Sequence, residues 1–412
     1  MDVIVLGLML LSLTIWLGLL CFRGQFWQLD QQLEIGETPL KSLPVVCAVV
    51  PARNEAELLP TTLRSLLLQD YPGSFNVFLV DDRSTDQTAN FAEGVAHAVG
   101  KPQQLHIISG ESLPLGWSGK LWAVEQGIKS ASKFAPDYFL LTDADIEHDP
   151  GNLRRLVAKA VQEDLDMVSV MVRLRCESFW EKLLIPAFVF FFQKLYPFRW
   201  VNNPNNPTAA AAGGSILIAR EALERIGGIQ VIRQALIDDC ALAQAVKRSG
   251  GVGDKGTSPI PSQGRIWLGL STLTLSLRPY DSLATIWDMV ARSAYTQLNY
   301  SRLLLLGTLV GMPLIYLVPP MGVILGLVWG NWTMSGDKTH YVYALTGLLG
   351  WLLMTLAYYP TIRFYKCSPW LAFSLPAIAF IYTLMTLDSA LRHWQGRGGA
   401  WKGRVYPNPD NF

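Results

Sequence analysis

Two aspartates two positions apart, Asp143 and Asp145, are the residues whose types and spacing point most directly to chemistry. They follow the apolar run 138–141, which predicts a buried strand. Mg²⁺ and Mn²⁺ prefer oxygen ligands, and one or two carboxylates commonly hold them while nucleotide phosphates complete the shell. The pair therefore predicts a metal and nucleotide site. The alternative is a simple turn before a helix that starts at Asp149 and Pro150.

Short apolar runs that alternate with helical patterns predict the element that positions these aspartates. The predicted strands are 45–50, 76–80, 105–108, 138–141 and 167–172. This spacing is typical of an α/β fold, a mostly parallel sheet with crossover helices. Ligands of such sheets bind beyond the carboxyl ends of the strands, so the residues after each run are candidates for the site.

Polar and charged residues follow the first two runs. Pro51 and Glu55 come after the first run, and Asp82 comes after the second. We expect Ser84 or Thr85 to cap the next helix by accepting an amide hydrogen bond. Capping leaves Asp82 unexplained, and its carboxylate can accept hydrogen bonds from a uracil imide or a ribose hydroxyl.

A glycine-rich turn at 116–120 opens a predicted helix over 121–130. A helix N-terminus with a lysine beside it is a typical anion site, so Lys120 is a candidate partner of a diphosphate. The alternative is a surface lysine after a flexible turn.

Composition indicates a membrane protein with a water-soluble domain. Half of the residues are hydrophobic (50%) and only 16% are charged. Stretches of membrane length predict spans at 3–22, 303–328, 341–359 and 370–387. The predicted domains are an anchor (1–24), a domain (40–300) with nucleotide-binding (44–150) and acceptor (151–300) halves, a membrane region (301–391) and a basic tail (392–412).

Charge and cysteine content exclude other classes. The net charge is +1 without a dense basic block, which argues against a nucleic acid partner. The five cysteines lack metal-ligand spacing, which argues against a zinc site and suits a reducing compartment.

Three motifs in one order carry a family resemblance: Pro51–Glu55, Asp81–Thr88 and Thr142–Asp145. They resemble those of inverting family 2 glycosyltransferases with the GT-A fold. The resemblance implies a nucleotide-sugar donor, which we expect to be a UDP-sugar, contacts of the first two motifs with the nucleoside, and a Mn²⁺ or Mg²⁺ cofactor. The segments around Trp267 and Arg278 are further similar to the hopanoid-associated branch, itself similar to ceramide glucosyltransferases.

The resemblance also implies roles for single residues. Glu55 and Asp82 would contact the nucleoside, Asp143 the ribose or the metal, and Asp145 the metal that bridges the diphosphate. The base of an inverting transfer would be the second acid of the pair Asp238 and Asp239, namely Asp239, with Asp238 as its neighbour.

Other readings of the acceptor side remain open. Two acids at a helix start are also favourable partners of the helix dipole. Gly213 and Gly214 permit close approach of an acceptor or a tight turn. The apolar run 183–192 is too short to span a bilayer and is either an interfacial segment near a lipid acceptor or a core helix.

Arg292 is the only match to the Gln-x-x-Arg-Trp motif of the processive members of the family. It remains a candidate for the diphosphate, but the missing glutamine and tryptophan favour a single transfer to a membrane lipid over polysaccharide synthesis. A non-catalytic transport or nucleotide-sensing protein is the alternative from another class; the absence of charges at the centres of the spans argues against transport.

Topology follows from the donor, because nucleotide sugars are cytosolic. We expect a multi-pass protein of the cell membrane whose catalytic domain is cytoplasmic. Basic residues after the last span place the C-terminus inside as well, so we expect 303–328, with its prolines, to be a hairpin that returns to the same side. The polar segment 250–264 predicts an inserted loop.

Overall fold

The computed structural model describes residues 2–33, 40, 42–250, 264–332, 339–397, 400–401 and 404–405. All of the inserted loop except its end residues, and Lys402 of the basic tail, lie outside the described residues. The described strands are Val46–Ala52 (β1), Phe75–Asp81 (β2), Leu105–Ser109 (β3), Tyr138–Leu141 (β4), Ile146–His148 (β5), Met167–Arg173 (β6), Ile216–Ala219 (β7), Ile266–Ser276 (β8), Ala400–Trp401 (β9) and Arg404–Val405 (β10).

The α-helices in the same ranges are Asp2–Phe22 (α1), Leu59–Leu67 (α2), Thr88–Ala98 (α3), Gly119–Ala131 (α4), Asn152–Gln162 (α5), Phe179–Leu195 (α6), Phe198–Val201 (α7), Arg220–Arg225 (α8), Asp238–Arg248 (α9), Leu283–Ala291 (α10), Ala294–Gln297 (α11), Arg302–Met312 (α12), Val318–Trp332 (α13), Thr339–Phe364 (α14) and Leu375–Trp394 (α15).

These elements form two compact units. The helical unit consists of Met1–Asp30, Cys176–Pro197 and Tyr280–Gly399, and the sheet unit of Gln31–Arg175, Phe198–Pro279 and Ala400–Phe412. The predicted acceptor half (151–300) is split between the two units, because 176–197 and 280–300 belong to the helical unit.

The main sheet has the strand order β3-β2-β1-β4-β7-β6-β8-β5. Neighbours pair in parallel at β2–β3, β1–β2, β1–β4 and β6–β8. The prediction of a mostly parallel α/β sheet is confirmed. Strand β7 runs antiparallel to both β4 and β6. Because two reversals restore the direction, β8 points the same way as β1, and the carboxyl ends of β1, β2, β4 and β8 meet at one edge.

Strand β1 is buried along its whole length, as its continuous apolar run predicts. Val46, Ala48 and Val50 join the main core of the sheet unit, which also contains side chains of α2 and α5. Helix α4 packs on the opposite face, where a Cβ at Gly127 would lie 2.4 Å from Val49. A glycine at this position therefore lets the helix approach the sheet closely.

The helical unit contains helices that are long and apolar enough to cross a membrane: Ile4–Phe22, Arg302–Val328, His340–Phe364 and Pro369–Trp394. Side chains of α1, α6, α14 and α15 share its buried core. Leu184, Ala187 and Phe190 are among them, so α6, which contains the apolar run 183–192, is a core helix of this unit.

The prediction of a hairpin within 303–328 is wrong. The helix continues from α12 through a π-helical segment, Pro313–Leu317, into α13. Pro319 and Pro320 lie within this continuous helix, and the Ile315 carbonyl, four residues before Pro319, accepts a hydrogen bond from the Trp16 indole (2.8 Å) instead. The chain reverses between α13 and α14: a Cβ at Gly326 would lie 2.6 Å from the His340 carbonyl oxygen.

A different segment, 365–394, turns back on itself. The Trp351 indole, in the middle of α14, donates a hydrogen bond to the Phe373 carbonyl (3.0 Å). Helix α15 starts there and ends beside the start of α12, where the Arg302 guanidinium lies 5.8 Å from the Trp394 ring centroid. Because α13 and α14 are antiparallel, the end of α14 and the start of α12 lie at the same end of this unit. The segment therefore leaves that end and returns to it.

Candidate active site

A cleft with an empty volume of about 380 Å³ opens at the carboxyl edge of the sheet. Its lining joins residues that are far apart in sequence: Pro51 near the end of β1, Asp143 after β4, and Asp238 and Asp239 at the start of α9. Lys120 lies in the same lining. The structure thus brings together five of the residues that sequence analysis selected.

Lys120 is the centre of this group. It stands in the first turn of α4, whose cap Ser118 accepts a hydrogen bond from the Leu121 amide (3.4 Å). Its Nζ lies 2.9 Å from Asp143 Oδ1 and 3.0 Å from Asp238 Oδ2. Burial by itself lowers the pKa of Lys120, but the two carboxylates outweigh it and raise the pKa well above its ordinary value. Lys120 therefore stays charged.

Asp239 is held by two backbone amides. The Gly213 N–H donates to Oδ2 (2.9 Å) and the Cys240 N–H donates to Oδ1 (2.7 Å). Burial, followed by the charge of Asp238, raises the pKa of Asp239 to about 6, although Lys120 and the two amides oppose the shift. A Cβ at Gly213 would lie 3.5 Å from both Asp239 Oδ2 and Lys120 Nζ, so a glycine here keeps space open between them.

Asp145 belongs to a second group that sequence analysis missed. The Arg278 Nε donates to Asp145 Oδ2 (2.6 Å) and its Nη2 donates to Glu55 Oε1 (2.7 Å). Arg278 follows β8 by two residues, at the same edge as the ends of β1 and β4. The sequence offered one signal for Arg278, a basic residue two positions after an apolar strand. The direction of β8, however, depends on strand pairings that the sequence does not show.

A buried polar network supports the loop that carries the two aspartates. Thr142 donates to the Gly214 carbonyl (2.7 Å) and lies 3.0 Å from His148 Nε2. Asn152 Nδ2 lies 3.0 Å from His148 Nδ1, and Thr274 donates to Asn152 Oδ1 (3.1 Å). Burial lowers the pKa of His148 to about 3, so the ring is neutral, with Nε2 donating and Nδ1 accepting in this network.

Two further candidates, Asp82 and Arg292, are not among the residues that line this cleft. Asp82 is buried at the end of β2, where Arg53 Nη1 lies 3.8 Å from its Oδ2 and donates to its carbonyl oxygen (2.6 Å). Arg292 directly follows α10 in the helical unit.

The capping predicted at Ser84 or Thr85 is wrong. Helix α3 starts at Thr88, and Asp86 Oδ1 accepts from the Thr88 amide (3.1 Å). Ser84 Oγ instead accepts from the Asn54 amide (2.9 Å), which joins the loop after β2 to the loop after β1.

The donor set suits a hard divalent cation only in part. Asp143 and Asp145 offer carboxylate oxygens, the ligands that Mn²⁺ and Mg²⁺ prefer. Each already pairs with a basic side chain, Lys120 or Arg278. Over the described ranges, no three Asp, Glu, His or Cys side chains converge. The site therefore fits a cation that takes its remaining ligands from a bound diphosphate. It does not fit a cation held by protein ligands alone.

Part of the sequence is similar to known proteins. Residues 47–227 match the family described as glycosyl transferase family 2. An uncharacterized protein of Methanocaldococcus jannaschii is 32% identical over 124 residues, 30% of this chain and 44% of its own. The undecaprenyl-phosphate 4-deoxy-4-formamido-L-arabinose transferase of Enterobacter sp. strain 638 is 30% identical over 151 residues, 35% of this chain and 42% of its own. The chain thus spans less than half the length of these relatives.

A solved structure resembles the fold over nearly the whole chain. It is the mannosyltransferase PcManGT from Pyrobaculum calidifontis in complex with GDP-Man and Mn²⁺, with a TM-score of 0.56 and 16% identity, covering 95% of this chain and 99% of that one. At this identity the likeness shows the fold alone. The family-level resemblance in the motifs is confirmed, and the hopanoid-associated branch stays a prediction. Residues 47–227 of this chain thus match glycosyl transferase family 2, and the sheet unit has the GT-A fold.

Proposed function

We propose that the protein is a membrane-bound glycosyltransferase that moves one sugar from a nucleoside-diphosphate sugar to a membrane lipid with inversion. UDP-sugars are the first donors to test. The observation that carries the proposal is the convergence of Asp143, Asp238 and Asp239 around Lys120 in one cleft, at the edge where α/β sheets bind ligands.

Asp239 is the proposed base. Its carboxylate takes the proton of an acceptor hydroxyl while the acceptor oxygen forms a bond to the anomeric carbon. The bond from that carbon to the diphosphate breaks on the opposite face, and its electron pair leaves with the nucleoside diphosphate. Asp238 pairs with Lys120 and thereby keeps the lysine close to Asp239.

The donor contacts are proposals as well. Glu55 and Asp82, with Pro51 in the cleft wall, are assigned to the nucleoside. Lys120 and Arg292 are assigned to the diphosphate. Asp143 and Asp145 would hold Mn²⁺ or Mg²⁺, which stabilises negative charge on a departing diphosphate. The Mn²⁺ bound in the structurally similar mannosyltransferase supports this assignment.

Membrane attachment and a lipid acceptor rest on two observations. Four helices have the length and composition of membrane spans among the described residues. The relative from Enterobacter is named for transfer involving undecaprenyl phosphate. We place the glycosyltransferase domain in the cytoplasm, where nucleotide sugars are found, and keep a hopanoid-type lipid as one acceptor to test.

A donor screen tests the proposal. Detergent-purified full-length protein is incubated with Mn²⁺, a total lipid extract and radiolabelled UDP-, GDP- or dTDP-sugars, and the products are separated by thin-layer chromatography. A labelled, chloroform-soluble product is expected. Label in an insoluble polymer would instead indicate a processive synthase, and no turnover with any donor would favour a non-catalytic protein.

A further inference from the structure

Arg278 forms a bridge between two carboxylates of the sheet unit. Its two contacts, 2.6 Å to Asp145 and 2.7 Å to Glu55, use different nitrogens of one guanidinium group. The carboxylates are largely buried, with side-chain exposures of 12% for Asp145 and 9% for Glu55. Arginine cannot lose its proton in this setting, so the bridge is a permanent charge next to the second aspartate of the Asp-x-Asp pair.

We propose that Arg278 holds Asp145 until a nucleoside diphosphate arrives, and thereby makes divalent-metal binding depend on the nucleotide. This inference rests on the proposed function, because it concerns the same donor site. It gives a role to Arg278, to which the sequence motifs assign none, and an order of binding that they do not predict.

Charge explains the dependence. A divalent cation that binds alone must share Asp145 with Arg278, so that two positive groups lie within a few ångströms in a poorly solvated place. Displacing the arginine instead would cost its charge-assisted hydrogen bonds with Asp145. Either route weakens metal binding in the absence of a ligand.

A diphosphate removes this conflict. Two oxygens of a diphosphate can accept the paired hydrogen bonds of a planar guanidinium group. Arg278 can therefore move from Asp145 to the ligand. The same group supplies oxygen ligands to the metal. Metal and nucleotide then stabilise each other, and by linkage each tightens the binding of the other by the same factor.

Lys120 holds Asp143 in a similar way, but it is a poorer position for a test. It also pairs with Asp238, so a substitution would disturb the proposed base. The described hydrogen bonds of the Arg278 side chain go to Asp145 and Glu55 and not to the acids beside Lys120, so a substitution at Arg278 leaves the proposed base in place.

The test measures Mn²⁺ binding to full-length protein in detergent by electron paramagnetic resonance, without nucleotide and with UDP or GDP. In the unsubstituted protein, one of the two nucleotides should tighten Mn²⁺ binding by about tenfold or more. In Arg278→Gln, Mn²⁺ alone should bind about tenfold more tightly, and the nucleotide should tighten Mn²⁺ binding by a smaller factor than in the unsubstituted protein. Nucleotide affinity itself should fall, because a diphosphate partner is lost.

Arg265→Gln is the matched control, since it removes an exposed arginine–carboxylate pair, with Asp164, from the same unit. Arg265→Gln should leave the Mn²⁺ titrations with and without nucleotide unchanged. Asp145→Asn should abolish Mn²⁺ binding. Equal Mn²⁺ affinity with and without nucleotide in the unsubstituted protein would overturn the proposal, even if the glutamine variant failed to fold. Unchanged nucleotide-free Mn²⁺ binding in a folded Arg278→Gln would also overturn it.

The lipid-product assay separates this failure from that of the proposed function. A labelled lipid product together with nucleotide-independent Mn²⁺ binding would reject the role of Arg278 and leave the transfer reaction standing. No Mn²⁺ binding under any condition would reject both this role and the metal site.

Discussion

Asp143 and Asp145 are separated by one residue, yet they pair with different basic side chains. Asp143 pairs with Lys120 at the start of α4, and Asp145 pairs with Arg278 after β8. Each carboxylate therefore has its own counter-charge, supplied by a different part of the chain. These pairings offset the negative charge of the acids that lie at this edge of the sheet.

Asp239→Asn is expected to abolish transfer and to leave nucleotide binding nearly intact. The amide cannot accept a proton from the acceptor, whereas the donor contacts involve other residues. Transfer is measured with the lipid-product assay and UDP or GDP binding by calorimetry. Asp164→Asn, at an exposed position, is the control. Loss of nucleotide binding in Asp239→Asn would contradict the assignment.

The pH dependence of kcat/KM should show an acid limb near pH 6. Burial and Asp238 raise the pKa of Asp239 to about 6, so this base is protonated and inactive below that pH and ionised above it. The rate should fall about tenfold per pH unit below the limb. Initial rates between pH 4.5 and 8 at constant ionic strength measure it. A limb near pH 4, the value of an ordinary aspartate, would contradict the prediction.

At the scale of elements, α9 is tied at both ends to the segment that precedes β7. At its N-terminus, Asp239 accepts from the Gly213 amide. Near its C-terminus, the buried Lys247 Nζ donates to the carbonyls of Val201 (2.6 Å), Thr208 (2.7 Å) and Asn203 (3.1 Å). These contacts set the position of the helix that carries the proposed base.

Lys247→Met is expected to lower both stability and transfer. It leaves buried carbonyls without a donor, which costs about 1–3 kcal/mol of unfolding free energy, and it frees α9 to shift Asp239. The thermal midpoint and the transfer rate are measured together. Lys129→Met, an exposed lysine on α4, should change neither. A Lys247→Met protein with unchanged kcat and KM would show that α9 keeps its position without this contact.

At the scale of the whole molecule, the packing of 365–394 changes the expected topology. This stretch has the length and composition of a span, but its described contacts return it to the end where it began. We therefore propose three crossings, by α1, α12–α13 and α14, with α15 re-entrant. This count places the basic residues after α15 on the cytoplasmic side, in agreement with the positive-inside rule.

Cysteine labelling tests this topology. In a protein whose native cysteines are replaced by serine, Arg397→Cys should be protected from a membrane-impermeant maleimide in intact cells and labelled after lysis. Leu115→Cys, at a highly exposed position in the sheet unit, is the reference for the side proposed as cytoplasmic. It should show the same labelling pattern as Arg397→Cys. Labelling of Arg397→Cys in intact cells, with Leu115→Cys protected, would indicate that α15 crosses the membrane.

Local patterns were sufficient to predict much of this protein. Apolar runs located β1, β2, β3, β4 and β6. Strands β1 and β6 show the reason most clearly, because they are buried almost throughout and a strand buried on both faces needs a continuous apolar sequence. The residues that follow those runs include Pro51 and Asp143, and these line one cleft with Lys120, which the glycine-rich turn before a helix marked. Residue type and position relative to a strand end are local properties, so the sequence by itself determined these features.

Only the tertiary structure decided which charged side chains pair and where the candidate membrane helices reverse direction. Arg278 lies 133 residues from Asp145 and 223 from Glu55, and only the strand order, with β8 parallel to β1, brings them to one edge. Prolines predicted a turn within 303–328, but the helix continues through them, and the distant Trp16 side chain supplies a donor to the Ile315 carbonyl. Pairings over such separations depend on the packing of the whole chain, because no local pattern encodes the direction of a distant strand.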